Sequence, residues 1–254
     1  MNMLSRTDIL GYPILNETAT RVATVVCDEL GRNSPKSFVF LNPHSVVVAN
    51  QESALRIAIV NAYGIFCDGV GLALAGLVLN RRRVPRVYGY EFFVALSREL
   101  SARGVGRVFF LGGTHASVAE LTGKYRSEFP GIPSVTSYAP PYKSEFRAEE
   151  IADMAARIAA SGADILWIGL GSPKQEKILH QLMQQCDLGC GAAIGAVFDF
   201  YTGRIPHAPA WIRGLGLQWA HRLVLEPKRL WRRTVISTPV FIWLAIRHRF
   251  SRRS

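Results

Sequence analysis

Five short runs rich in β-branched and aromatic residues, at 37–41, 108–111, 134–137, 165–168 and 190–194, alternate along this chain with stretches of helical periodicity. The helical stretches fall at 54–61, 71–79, 91–102, 116–127, 145–160 and 174–185. This alternation constrains the fold more than any other feature. Apolar strands joined by helical crossovers lie parallel, and the connecting helices bury both faces. The expected fold is therefore α/β: a mostly parallel sheet with helices on both faces. A chain of 254 residues, 49% hydrophobic, is long enough for one such domain plus an appendage. No internal repeat or low-complexity linker is visible.

Open α/β sheets bind ligands beyond the carboxyl ends of their strands, so the turns there come next. The run at 37–41 leads into Asn42-Pro43-His44-Ser45, and the run at 108–111 into Gly112-Gly113-Thr114. The run at 165–168 leads into Gly169-Leu170-Gly171-Ser172-Pro173-Lys174-Gln175-Glu176, the most informative of the three. Its glycines allow close backbone approach, Ser172 can cap a helix, and Pro173 suits a first helical position. A helix start in that place is an anion site fit for a nucleotide diphosphate. Asp68, in Phe66-Cys67-Asp68-Gly69-Val70-Gly71, fits either a helix cap or a catalytic acid or base. Asp199 raises the same question, and Asn42 by itself is a turn residue.

Several chemistries are excluded by what the sequence lacks. Gly169-x-Gly171 has no third glycine at dinucleotide-binding spacing, and there is no Walker A sequence, His-Glu-x-x-His pair or serine nucleophile elbow. The four cysteines, Cys27, Cys67, Cys186 and Cys190, form no CxxC pair, which fits a reduced chain. Cys186 and Cys190 could share a helix face, but no His or third Cys completes a metal set nearby, and no metal or cofactor is assigned. The first 13 residues lack the apolar core of a signal peptide.

Charge is concentrated at one end. From Arg204 onward there are eleven lysines and arginines against one acid, Glu226, so the last 51 residues carry +10 of the net +11. Trp211, Trp219, Trp231 and Trp243 lie in the same segment. Tryptophan beside arginine is the composition of a membrane interface. The apolar run at 235–246 is interrupted by Ser237, Thr238 and Pro239 and falls short of the ~20 residues a spanning helix needs. A shallow in-plane anchor fits, with Trp231, Trp243, Arg247, Arg249, Arg252 and Arg253 at the lipid surface. A basic surface helix with a packed apolar face is the alternative. A nucleic-acid-binding tail is a further reading, weakened because cations interleaved with an apolar run waste hydrophobic surface. The composition break near Thr202 divides the chain into 1–203, an α/β body, and 204–254, a helical basic appendage.

Taken together and in order, these motifs resemble the WecG/TagA/CpsF family of bacterial glycosyltransferases. The strongest stretch is Trp167-Ile168-Gly169-Leu170-Gly171-Ser172-Pro173-Lys174-Gln175-Glu176-Lys177, with Asp68-Gly69-x-Gly71, Gly112-Gly113 and Phe198-Asp199-Phe200-Tyr201-x-Gly203. Ala208-Pro209-x-Trp211, Gly216-Leu217-Gln218-Trp219, Arg222-Leu223 and Glu226-Pro227-x-Arg229-Leu230-x-Arg232-Arg233 complete the set.

The resemblance implies a Rossmann-like body of the GT-E type and inverting transfer from a UDP-sugar to an undecaprenyl-diphosphate-linked acceptor. It places the enzyme peripherally at the cytoplasmic face of the membrane, on an anionic surface, in exopolysaccharide or cell-surface polymer synthesis. No nucleic acid is expected, a non-catalytic scaffold in a polysaccharide complex is the remaining alternative, and homo-oligomer formation stays open. By the same resemblance Asp68 is the general base, with Asn42, Arg86 and Gln175 at the reacting centre. Gly112, Gly113, Gly169, Gly171, Ser172, Lys174 and Gln175, with Arg222, Arg229 and Arg232 from the tail, hold the donor diphosphate. One departure stands out: Phe40 occupies a position where the family usually has threonine.

Overall fold

The structure, a computed structural model, describes residues 4–32, 34–209, 212, 218–225, 227, 231 and 236–251. A hairpin opens the chain: β1 (Arg6–Ile9) and β2 (Tyr12–Leu15), turned at Leu10 and Gly11, both at positive φ. After it come α1 (Ala19–Asp28), β3 (Lys36–Leu41), α2 (Pro43–Gln51), α3 (Ser53–Val60), β4 (Gly64–Cys67), α4 (Val70–Asn80) and α5 (Gly89–Arg103). The second half runs β5 (Val108–Gly112), α6 (His115–Glu128), β6 (Val135–Tyr138), α7 (Ala148–Ser161), β7 (Ile165–Gly169), α8 (Lys174–Gln185), β8 (Cys190–Ala193) and α9 (Val197–Thr202). In the basic tail lie α10 (Gln218–Leu225) and α11 (Ser237–Ser251).

The eight strands among the described residues form one sheet in the order β1-β2-β4-β3-β8-β7-β5-β6. Every pairing is parallel except the β1–β2 hairpin at one edge. The mostly parallel α/β architecture expected from the alternation is the one the chain adopts. Successive side chains of each strand point to opposite faces, which sorts the core into two halves. Phe38, Phe66, Phe110 and Trp167 pack toward α1, α5 and α6, while Val39, Leu41, Ile65 and Ile168 pack toward α2, α3 and α8. Trp167 is fully buried, edge-on to Phe92 and Phe93 of α5. Fully burying such rings stabilises the sheet by about 1.5–3 kcal/mol each.

Several elements lie outside the alternation read from sequence: the hairpin, α1, α2, β4 and α9. In α2 the run Val46-Val47-Val48 favours strand by propensity. It is helical because Asn42 caps it and Pro43 occupies the first turn. Cys186 and Cys190 do not share a helix face, since α8 ends at Gln185 and Cys190 opens β8. Among the described residues no group of three or more His, Cys, Asp or Glu could hold a metal ion.

In the tail, Ser237, Thr238 and Pro239 form the first turn of α11, where proline's missing N–H leaves no helical bond unmade. The inner face of α11 docks on the body against α2 and α4. Phe241 is 4% exposed there, Ser237 Oγ lies 2.8 Å from His44 Nδ1, and Arg249 donates to the Val78 carbonyl at 3.4 Å. No described helix is long and apolar enough to cross a membrane.

Candidate active site

Asn42 and Asp68 leave neighbouring strands at the same level. Leu41 of β3 pairs with Cys67 of β4, and the Asp68 N–H donates to the Leu41 carbonyl at 2.9 Å. Asn42 caps α2: its Oδ1 accepts from Ser45 N at 3.1 Å, which fixes the orientation of the side-chain amide. Asp68 does not cap α4. The cap position is Gly69, at φ 95°, which brings no side chain of its own to the helix start. The capping alternative for Asp68 is thereby set aside, and its carboxylate stands half-buried at the strand exit.

Arg86 comes to the same place through an extended segment. It forms a parallel bridge with Cys67, and Val87 N donates to the Cys67 carbonyl at 3.0 Å. The Cys67 thiol registers both charges. Burial pushes it up to about 12, the Asp68 carboxylate adds to the rise, and the Arg86 guanidinium opposes it.

Across the sheet, β7 and β5 end in glycine turns packed hard on one another. Gly112 pairs with Gly169 and has φ 130°; a Cβ on Gly112 would lie 2.4 Å from the Gly169 carbonyl oxygen. Gly169 is in turn covered by the Phe198 ring of α9, 2.6 Å from where its own Cβ would be. The two helices that follow these turns start differently. Helix α6 is closed by a capping box in which Thr114 Oγ1 accepts from Ser117 N at 3.2 Å and Thr114 N donates to Ser117 Oγ at 2.7 Å. Helix α8 has Pro173 at its cap and no side-chain cap bond; Ser172 is exposed and does not serve as the cap. Of these two helix starts, α8 is the one without a side-chain cap and so the one open to an anion.

Gln175 and Lys174 are committed to the protein. Gln175 is buried; its Oε1 accepts from Gly171 N at 3.2 Å, and its Nε2 donates to Glu176 Oε1 at 3.1 Å and the Ala193 carbonyl at 3.4 Å. It thus ties the β7 turn to the end of β8. Lys174 Nζ bonds the Lys143 carbonyl and lies 5.3 Å from the Tyr142 ring and 5.1 Å from Phe146; burial lowers its pKa.

In the tail, the backbone of Arg222 lies in α10, whereas Arg229, Arg232, Arg252 and Arg253 fall outside the described residues. Trp231, Trp243, Arg247 and Arg249 are exposed, with the Arg247 guanidinium 5.4 Å from the Trp243 ring centre. Phe40, in place of the family threonine, stacks on Phe66 with ring centres 5.2 Å apart.

Three residues at this end of the sheet were not singled out from sequence. His44 joins the first turn of α2 to α11, and Tyr90 and His207 pack edge-on at 4.3 Å, with Phe200 5.2 Å from the same imidazole. The signal was adjacency: Tyr90 follows Tyr88-Gly89, and His207 precedes Ala208-Pro209.

The strand exits that bear Asn42 and Asp68, with Arg86 bridged beside them, lie at the carboxyl ends of a Rossmann-like α/β sheet, the edge at which open sheets of this class bind ligands. Residues 7–254 match the glycosyl transferase WecG/TagA/CpsF family, and the chain belongs to it. An N-acetylglucosaminyldiphosphoundecaprenol N-acetyl-β-D-mannosaminyltransferase of Bacillus spizizenii is 28% identical, over 92% of this chain and 87% of that protein. The enzyme of the same name from Bacillus subtilis is 27% identical, over 79% of this chain and 75% of its own length. The chain is accordingly an enzyme of the glycosyltransferase class, and the scaffold alternative falls away.

Proposed function

We propose that this enzyme transfers a sugar from a UDP-sugar to a hydroxyl of a polyprenyl-diphosphate-linked saccharide, with inversion at the anomeric carbon. The observation that carries the reading is the pairing of Leu41 with Cys67. It sets Asn42 and Asp68 side by side, with Arg86 beside them. In the proposed step the Asp68 carboxylate takes the proton of the acceptor hydroxyl as its oxygen attacks the anomeric carbon. The bond from that carbon to the diphosphate breaks, and its electron pair leaves on UDP. The α8 start and the arginines Arg222, Arg229 and Arg232 stabilise the departing charge. Asn42 orients the acceptor, and Gln175 acts as a positioning residue by bracing the β7 turn.

The names of the two relatives support a lipid-linked acceptor, N-acetylglucosaminyl-diphosphoundecaprenol, and an N-acetylmannosaminyl donor group. Phe40 cannot supply the hydroxyl of the family threonine, so the donor preferred here is open to a neutral hexose. In this reading 1–203 is the catalytic part and 204–254 the appendage, working peripherally at the cytoplasmic membrane face in cell-surface polymer synthesis. A panel of UDP-sugars against synthetic polyprenyl-diphosphate saccharides, read by mass spectrometry, tests it. One added sugar mass with release of UDP is the expected result. No transfer from any UDP-sugar to any such acceptor, in the presence of anionic vesicles, contradicts it.

A further inference from the structure

Helix α4 is oriented against the usual rule for surface helices. Its buried side is made of small residues and one leucine, Leu72, Ala75 and Gly76, while Leu74, Leu77 and Val78 stand 41–57% exposed on the outer side. The outer stripe continues at the spacing of a helix face into Arg81, exposed with Arg82 and Arg83. Helix α11 repeats the arrangement. With Ser237, Phe241 and Leu244 turned to the body, it presents Ile242, Trp243, Ile246 and Phe250 at 52–62% exposure.

These stripes belong to one surface. Both helices begin at the first turn of α2. Gly71 of α4 abuts Pro43, where a Cβ would lie 2.7 Å from the ring, and Ser237 of α11 sits on His44. Both end together where Arg249 reaches the Val78 carbonyl. They therefore run side by side, away from Asn42 and Asp68, for about 16 Å along α4. No acid occurs between Asp68 and Glu91, nor anywhere from Pro227 to the end of the chain. An exposed apolar ridge of this extent, edged by arginines and free of carboxylates in its own segments, matches a bilayer whose headgroups are negative. The Trp243–Arg247 stack is the side-chain pairing suited to headgroup depth.

The geometry points to α4 and α11 together as the membrane-docking face, with α4 supplying an insertion surface that the basic tail alone does not. Deepening the glycosyltransfer reading and resting on it for its purpose, this places the mouth of the site at one end of the inserted ridge. A lipid-linked diphosphate at the headgroup level then lies within one helix length of Asp68.

The experiment needs neither donor nor acceptor, so it stands or falls separately from the reaction. The whole chain is co-sedimented with phosphatidylcholine vesicles with and without phosphatidylglycerol, beside the variant Leu74→Gln/Leu77→Gln/Val78→Gln. The variant keeps every tail cation, yet its partition into the anionic vesicles should fall about tenfold or more, because three apolar side chains are withdrawn from lipid. Equal partition of the two proteins overturns the proposal. An environment-sensitive fluorophore on Leu77→Cys, in a Cys186→Ser background, gives a second reading. It should shift to the blue and be quenched by spin-labelled lipid when anionic vesicles are added. A label that stays in water while the protein sediments with the vesicles overturns the assignment of α4. Sedimentation velocity without lipid covers the other occupant: a dimer that the triple variant converts to monomer would make this face a protein interface and overturn the membrane assignment.

Discussion

Gly112→Ala tests the packing of the two glycine turns most sharply. Gly112 has φ 130°, where an L side chain is strained, and its Cβ would lie 2.4 Å from the Gly169 carbonyl oxygen, an atom of backbone with no rotamer to change. Backbone strain of this kind costs on the order of 1–3 kcal/mol, and forced overpacking adds about 1–3 kcal/mol. The combined loss is about 2–6 kcal/mol, or roughly 4–24 °C in Tm for a chain of this size. Gly123→Ala is the matched control. Gly123 lies inside α6 with nothing within 4 Å of an added Cβ, so alanine should stabilise by about 0.5–1 kcal/mol through helix propensity. Thermal unfolding of both variants reads the contrast directly. Gly112→Ala melting with the parent, or Gly123→Ala falling as far as Gly112→Ala, would refute the reasoning.

Two further outcomes follow from the same structure. All four cysteines are thiols, and burial pushes those of Cys27 and Cys67 up to about 12 and that of Cys190 higher still. Native protein at pH 8 should therefore react with a disulfide reagent at Cys186 alone, and at four sites once unfolded in guanidinium. Because the native state keeps these thiols protonated, their contribution is complete below the unfolded thiol pKa of about 8.5 and declines as pH rises from there toward 12. Turnover should survive chelation by EDTA under the proposed assignment, in which arginines supply the positive charge; the described residues assemble no metal-ligand group. Loss in EDTA with recovery on adding manganese or magnesium would show that charge assignment to be wrong.

Much of this was legible in the sequence because periodicity reports burial. The five apolar runs are β3, β5, β6, β7 and β8, and the six helical stretches are α3 through α8. What escaped was decided by tertiary context or by caps. Four-residue β4 is too short to show a period, yet it is wholly buried and delivers Asp68. Helix α2 hides behind three valines, although Asn42-Pro43 announces its start. The docking of the tail helix escaped for another reason. An apolar run interrupted by polar residues and proline reads as broken when its neighbours are unknown, but the docked helix uses Ser237 to meet His44 and Phe241 to enter the core. Motif order pointed to Asp68, Asn42, Arg86 and Gln175 together. The buried bracing by Gln175 needed coordinates, because which atoms of an amide are occupied depends on strands distant in sequence.

The central claim is that Asp68 is the base of a sugar transfer carried out beside the end of β3. Its direct test is turnover of Asp68→Asn and Asp68→Ala with the UDP-sugar and polyprenyl-diphosphate acceptor that the unaltered enzyme uses, in anionic vesicles, with UDP affinity measured in parallel. Neither change should disturb the fold, because Gly69 and not Asp68 occupies the α4 cap and the Asp68 backbone bond to Leu41 remains. Both variants should bind UDP as the parent does while turnover drops by about a hundredfold or more, the scale of a lost acid or base. Turnover near that of the parent in either variant would contradict the account.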